Sequence, residues 1–301
     1  MSYVGNFARK MNRLRDGNQG IFTGSFDGSG NPIDTYLYSN LNTSNSSASG
    51  NHAFLELATN DGNADYNALL VSLRRRFSQG VSYGVSYTWS HNISDYVDNL
   101  TGSALPQNAF NYAAERGDSM FDVRQRFVGF VTYELPVGRG KKYLNQGGVA
   151  NAVVGGWQIN TILTKQTGST IQLFASDQSL SGGQHTSRPD CMGDGRAGAS
   201  NDPRTGLWLN PAAFATPAAG QFGNCHVGAY HGPGNTNVDL SLFKSFPVRE
   251  SMHFEFRAEM FNAFNHANFS NPGSFFNQGF GVISSTIGDP REVQFALKFY
   301  F

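Results

Sequence analysis

The clearest pattern in the chain is an alternation of period two. Over residues 81–91, VSYGVSYTWSH, Val81, Tyr83, Val85, Tyr87 and Trp89 fall on one side; Ser82, Gly84, Ser86, Thr88 and Ser90 fall on the other. Successive side chains of a strand point to opposite faces, so this is a strand with one apolar and one polar face. The run before it, residues 66–77, sets Leu69, Val71, Leu73 and Phe77 against Ser72, Arg74 and Arg76, and SQG joins the two as a tight hairpin. The same patterning predicts strands over 124–135, 156–166, 238–246, 253–264 and 291–301, with a weaker candidate in MSYVGNFARK at the start. That makes about eight strands, each near the 9–11 residues that cross a bilayer at a tilt.

The spacing of these strands sharpens the picture. Long gaps (11–65, 93–123, 167–237, 265–290) alternate with shorter ones (78–80, 136–155, 247–252). A β-sandwich has no reason to put every long loop at one end. A membrane barrel does, with short turns on one side and long loops on the other. The apolar faces are dominated by large aromatics, and Tyr83, Trp89, Tyr133 and Trp157 lie near strand ends, where interfacial girdles sit. The expected fold is therefore all-β, an antiparallel transmembrane β-barrel segment of about eight strands with long extracellular loops.

Composition agrees and excludes alternatives. The 301 residues include 25 Phe, 12 Tyr and 35 Gly, with 15% charged residues and a formal net charge of zero, which gives no basis for a nucleic-acid partner. No apolar run reaches the length of about 18 residues that a membrane-spanning helix needs. Residues 1–20 carry Arg9, Lys10, Arg13 and Arg15 without an apolar stretch, so no signal peptide is read there. A mean hydropathy of −0.36 is compatible with a barrel, whose strands devote only every second residue to lipid.

Several long words resemble one family. DYNALLVSLRRRFSQGVSYGVSYTWSHNISD resembles a strand–turn–strand unit of TonB-dependent receptor barrels of the acidobacterial type, and RGDSMFDVRQRFVGFVTYELPVGRGKK resembles the next strand and its periplasmic turn. TGLWLNPAAFATPAAGQFGN, GPGNTNVDLSLFKSFPV, FRAEMFNAFNHANFSNP and STIGDPREVQFALKFYF resemble the last third of those barrels. The resemblance runs from about residue 60 to the end. It implies that residues 1–301 are the carboxy-terminal part of a larger outer-membrane barrel, without the plug domain and the carboxypeptidase-regulatory-like domain that precede it in the family. It also implies uptake of an unidentified nutrient, with TonB engaged only through the missing amino-terminal parts. Outer-membrane lipid and the barrel-insertion machinery are the other partners it implies, and the final apolar row Phe295, Leu297, Phe299 and Phe301 resembles the insertion signal. The alternative is a small barrel closed on itself, with a structural or passive-pore role.

No catalytic set or cofactor site is read from the residues. Gly117–Met120, GDSM, has the look of a serine-nucleophile block but lacks a matching base, and VGRGKKY (137–143) lacks the spacing of a phosphate loop, so a periplasmic turn is expected there. Cys191 and Cys225, the only cysteines, fall in one long loop; in an oxidising compartment they are expected to form a disulfide. A metal site with His185, His226 or His231 is the alternative for them. Arg74, Arg76, Arg124, Arg126, Glu255, Arg257, Glu259 and Lys298 are expected on the lumen-facing side, as a salt-bridged wall or a ligand path. Residues 42–51, NTSNSSASGN, read as a low-complexity outer loop.

Overall fold

Eight long strands hydrogen-bond in sequence order into one antiparallel sheet. They are β1 (Ser2–Asp16), β2 (Glu56–Ser78), β3 (Val81–Ser94), β4 (Gln125–Glu134), β5 (Trp157–Gln166), β6 (Asn235–Arg249), β7 (Met252–Phe261) and β8 (Glu292–Tyr300). The computed structural model describes residues 1–38, 55–95, 105–145, 148–181, 185–200, 202–204, 206–249 and 252–301; the low-complexity stretch 42–51 lies outside them. A two-residue strand, Gly117–Asp118, adds to the far end of β3. All seven predicted strands and the weaker one at the start are present, with β1 and β2 running further than their patterns suggested. Pairing explains the extension: Arg13–Asp16 continue opposite Glu56–Thr59 although neither segment alternates cleanly.

The β2–β3 turn shows how local sequence sets the register. Gln79 and Gly80 both take positive φ (54° and 80°), the geometry that lets a two-residue turn follow the twist of its strands. From there the pairing Arg74↔Gly84, Ser72↔Ser86 and Leu70↔Thr88 puts those residues on one face. Leu73↔Val85, Val71↔Tyr87 and Leu69↔Trp89 occupy the other. The second face carries on across the sheet through Phe127, Val131 and Tyr133, then Ile159 and Leu163, then Leu242 and Phe246, then Phe254 and Phe256, to Phe295, Leu297 and Phe299. Serine, threonine, asparagine and charged residues dominate the first face, although Phe130 and Ile162 also stand there. Gly84 makes room for Phe130: a methyl group at Gly84 would fall 2.4 Å from its ring.

Burial is inverted relative to a water-soluble sandwich. Phe295 and Leu297 on the apolar face are 69% and 66% exposed. The main buried apolar cluster, Ile171, Leu173, Leu209, Phe214, Cys225 and Phe280, belongs to the loops. One chain thus carries two hydrophobic surfaces, a sheet face turned outward and a compact core above the strands.

Among the described residues the sheet does not close. Its order runs β1-β2-β3-β4-β5-β6-β7-β8, and β1 and β8 are not paired with each other. The small self-closed barrel expected as an alternative is therefore not the arrangement found, because the two ends of the eight-stranded strip remain separate edges.

Candidate functional site

All long connections leave the sheet at one end, and there they are knitted together. Residues 167–234 and 262–291 share the apolar core: Phe174 and Phe276 exchange main-chain hydrogen bonds with Ser274 and Phe174 respectively, and Trp208 N–H donates to Gly281. Phe280 packs edge-on against Phe214 and Phe276, with ring centroids 4.8 and 5.4 Å apart. Asp and Asn side chains shape the turns by capping main-chain N–H groups two residues on, as Asp177 does for Ser179, Asp194 for Arg196 and Asn210 for Ala212. Cys191 and Cys225 are bonded, with Cα atoms 4.9 Å apart, tying two arms of the same loop beside Phe214. With both sulfurs engaged, the metal site proposed for these cysteines with His185, His226 or His231 does not form.

The 95–124 connection joins this layer through a buried ion pair. Arg188 donates from one guanidinium nitrogen to Glu115 at 2.7 Å, from Nε to the Cys225 carbonyl, and from the third nitrogen to the Ala114 carbonyl. Glu115 also accepts the Gln107 N–H, and Gln107 accepts the Arg188 N–H. Both side chains are under one-tenth exposed. Gln19 extends the network to the first loop by bonding the main chain at Gln107 and Ala109.

At the junction of this layer with the wall sits a charged cluster. Asp118 and Asp122 both bind Arg124, at 2.6 and 2.7 Å. His91 of β3 lies 2.8 Å from Asp118, and His231 Nε2 lies 3.6 and 3.5 Å from the two carboxylates. Asp122 is wholly buried and also accepts the Asn92 N–H. Burial alone would raise its pKa, but the His231 ring, the Asn92 N–H and the Arg124 and His91 charges together hold it below the ordinary carboxylate value. The two carboxylates and His231 have a donor set suited to a divalent cation, yet the Arg124 guanidinium already takes the carboxylate oxygens that face it. The cluster acts as a latch between rim and loops.

Asp177 forms a second polar contact within the layer, 3.1 Å from His185. Partial burial would raise its pKa, but hydrogen bonding and charge from His185, with the Ser179 N–H and hydroxyl, bring it down to about 2. A depressed carboxylate stabilises the fold above its unfolded pKa of about 3.9, and this contribution is lost as pH falls through the folded value. Acid should therefore loosen this part of the layer between about pH 4 and the folded value of about 2. Fluorescence of Trp208, in a Trp89→Phe/Trp157→Phe background, checks it: Asp177→Asn should diminish the acid transition, and an unchanged transition would assign it to other groups.

The charged residues singled out from the sequence fall in three places. Register puts Arg74, Arg126, Glu255, Arg257, Glu259 and Lys298 on the polar face of the sheet. Arg257 binds Glu255 at 2.6 Å on the same strand and covers the Phe243 ring at 4.5 Å, while Lys298 stands directly opposite Glu255. Arg76 falls in the irregular stretch of the hairpin after the last regular pair, Arg75↔Tyr83. Arg124 precedes β4 and turns to the rim latch instead of standing on the wall. Phe295, Leu297 and Phe299 line the opposite, apolar face, and Phe301 lies just past β8, its ring 5.9 Å from that of Phe299. Ser119 of GDSM is buried and its hydroxyl oxygen accepts the Phe121 N–H. VGRGKKY forms a turn, with Val137 bridged to Tyr143.

Sequence reasoning missed Glu115, Arg188, Asp118 and Asp122, and it grouped His231 with the cysteines although the ring stands beside Asp118 and Asp122. A run of period two identifies a strand face, but no local pattern marks two charges 73 positions apart as partners.

With the apolar face turned outward and every long loop at one end, the architecture is that of a wall built for a lipid bilayer. The chain belongs to the family described as Outer membrane beta barrel domain, which matches residues 1–294 and so places it in the outer membrane. Members of this family are typically not enzymes. A search of curated proteins found no match. In such barrels the short turns face the periplasm and the long loops face outward.

That placement predicts which face meets lipid. Spin labels at Tyr83, Val85, Tyr87, Phe295, Leu297 and Phe299 should be quenched by a lipid-soluble relaxant, and labels at Arg257, Glu259 and Lys298 should not. The reverse pattern would overturn the orientation of the wall.

Proposed function

We propose that the chain forms the carboxy-terminal part of the wall of a TonB-dependent receptor, a barrel that takes up a nutrient across the outer membrane. The observation that carries the reading is the open sheet: an unpaired strand edge in hydrocarbon leaves main-chain groups unsatisfied at several kcal/mol each. β1 and β8 therefore need further strands, and the sequence resemblance points to a larger receptor as their source. The folded layer at the outer mouth supports it, since a cross-linked set of loops offers a stable surface for capturing a solute before it enters a lumen lined by Arg126, Glu255, Arg257 and Glu259. TonB would be engaged through other parts of the receptor, not through this wall.

The test is the mass of the assembled barrel released from outer membranes in mild detergent, with a pull-down by the periplasmic domain of TonB. The reading expects a species well above the 32.8 kDa of this chain that binds TonB. A closed, heat-modifiable barrel of 32.8 kDa that ignores TonB would discard it.

The last strand gives a second test of the membrane route. Phe299 packs at a tilt against Phe254 with ring centroids 4.7 Å apart, whereas Phe301 is 92% exposed, so the terminal ring adds little to the finished fold. Deleting Phe301 should lower the amount reaching the outer membrane while the inserted fraction melts nearly as the parent does. Normal outer-membrane levels would remove the assembly role from this residue.

A further inference from the structure

The connection between β4 and β5 folds beneath the periplasmic end of the wall. Between it and β6 lies a cleft of about 450 Å³ whose lining includes Arg139, Lys141, Gly155, Lys244 and Phe246, and no carboxylate. Lys244 is the unexpected member. Register puts it on the apolar, lipid-facing side of β6, between Leu242 and Phe246 and opposite Trp157 and Phe256. A lysine on that face is costly at the bilayer centre and tolerated near the interface. Its side chain is 3% exposed and its ammonium donates to the Gly155 carbonyl, 5.4 Å from the Trp157 ring centroid and 5.2 Å from that of Phe246.

A carbonyl and two rings orient a cation without neutralising it. Lys141 is held by Glu134 at 2.7 Å, but neither Arg139 nor Lys244 has a carboxylate partner among the described residues. Arg139 is exposed at the mouth of the cleft. Two unneutralised cations therefore face one small space, beside an indole at the strand end where interfacial aromatics sit. Outward of Lys244 the same face continues through Leu242 and its neighbour Ile159, while Phe246 and its partner Phe254 lie on the periplasmic side. Basic pockets between membrane-spanning elements take acidic headgroups, and here the acyl chains would have an apolar face to lie along.

We propose that this cleft binds the phosphate of an anionic phospholipid in the inner leaflet, with Lys244 and Arg139 as the anion-binding residues. A soluble phosphate offers the same chemistry without the chains, so the experiment separates the two. The barrel is released from outer membranes in detergent, and native mass spectrometry follows retention of added dioleoylphosphatidylglycerol, dioleoylphosphatidylcholine or sodium phosphate. Dioleoylphosphatidylglycerol should be retained over dioleoylphosphatidylcholine. Arg139→Gln and Lys244→Gln should each reduce that retention by about fivefold, the worth of one basic residue near an anionic lipid surface. Arg139→Gln, on an exposed turn, keeps the test alive if Lys244→Gln does not assemble. Equal retention of the two lipids, or retention unchanged in Arg139→Gln, would overturn the site. Retention of sodium phosphate with no preference between the lipids would overturn the lipid headgroup as its occupant.

Discussion

Arg188→Met should release the outer loop layer while leaving the strands in place. The substitution strands the Glu115 carboxylate, 3% exposed, without its guanidinium partner and removes donors from the Ala114 and Cys225 carbonyls. Breaking a buried ion pair by removing one partner typically costs about 3–5 kcal/mol, because the remaining charge is left in a poor solvent. The cost should fall on the contact between the 95–124 loop and the 167–234 loop, since that is where both residues sit. Hydrogen exchange at Leu105–Ala109 and Ser187–Cys225 should rise steeply, with β3 to β7 unchanged. Adding Glu115→Gln to Arg188→Met should recover part of the protection, because the stranded charge is gone. If the double variant exchanges as fast as the single one, the loss lies in packing and not in the orphaned carboxylate.

Replacing Cys191 and Cys225 by serine should have an effect of similar size in the same region. The bridge closes a loop with a sequence separation of 34. On the chain-entropy account such a closure is worth about 3–4 kcal/mol, as an upper figure for a loop whose ends are also held by other contacts. Those contacts are present: Cys191 N–H donates to the Asn224 side chain, Asn224 N–H donates to Asp190, and Cys225 packs in the core with Leu209 and Phe214. The double variant should therefore show raised exchange at Leu209–Phe214 and Gly223–Tyr230 and a wall that melts as before. Two free thiols in protein taken from the envelope without reductant would show that the bridge does not form there.

What the sequence could and could not disclose follows from the range of the forces involved. The wall is legible because a strand writes its own faces: Val81, Tyr83, Val85 and Tyr87 alternate with small polar residues whatever lies beside them. The side of Arg74, Arg126, Glu255, Arg257, Glu259 and Lys298 was readable for the same reason, whereas Arg76 falls in the irregular end of its hairpin. Arg124 did not follow, because one step outside a strand the alternation no longer binds and local ion pairs decide. The loop core is the larger omission. Leu209, Ile171 and Phe280 carry no periodicity and come from connections that look like linkers rich in Gly, Ser and Asn. Their burial depends on distant loops meeting, as Arg188 meets Glu115. The short stretches 96–104 and 182–184 fall outside the described residues.

The number of long strands has a consequence of parity. β1 runs from the periplasmic end outward and β8 runs back, so the strip has its two free edges pointing in opposite senses and both of its ends on the periplasmic side. Any antiparallel neighbour added to β8 must run outward, and any added before β1 must run inward. A cylinder completed by antiparallel pairing alone therefore accepts further strands only in even numbers, delivered by chain that leaves and re-enters from the periplasm. An odd contribution would force one parallel seam into the wall, as a ring of alternating links cannot close on an odd count.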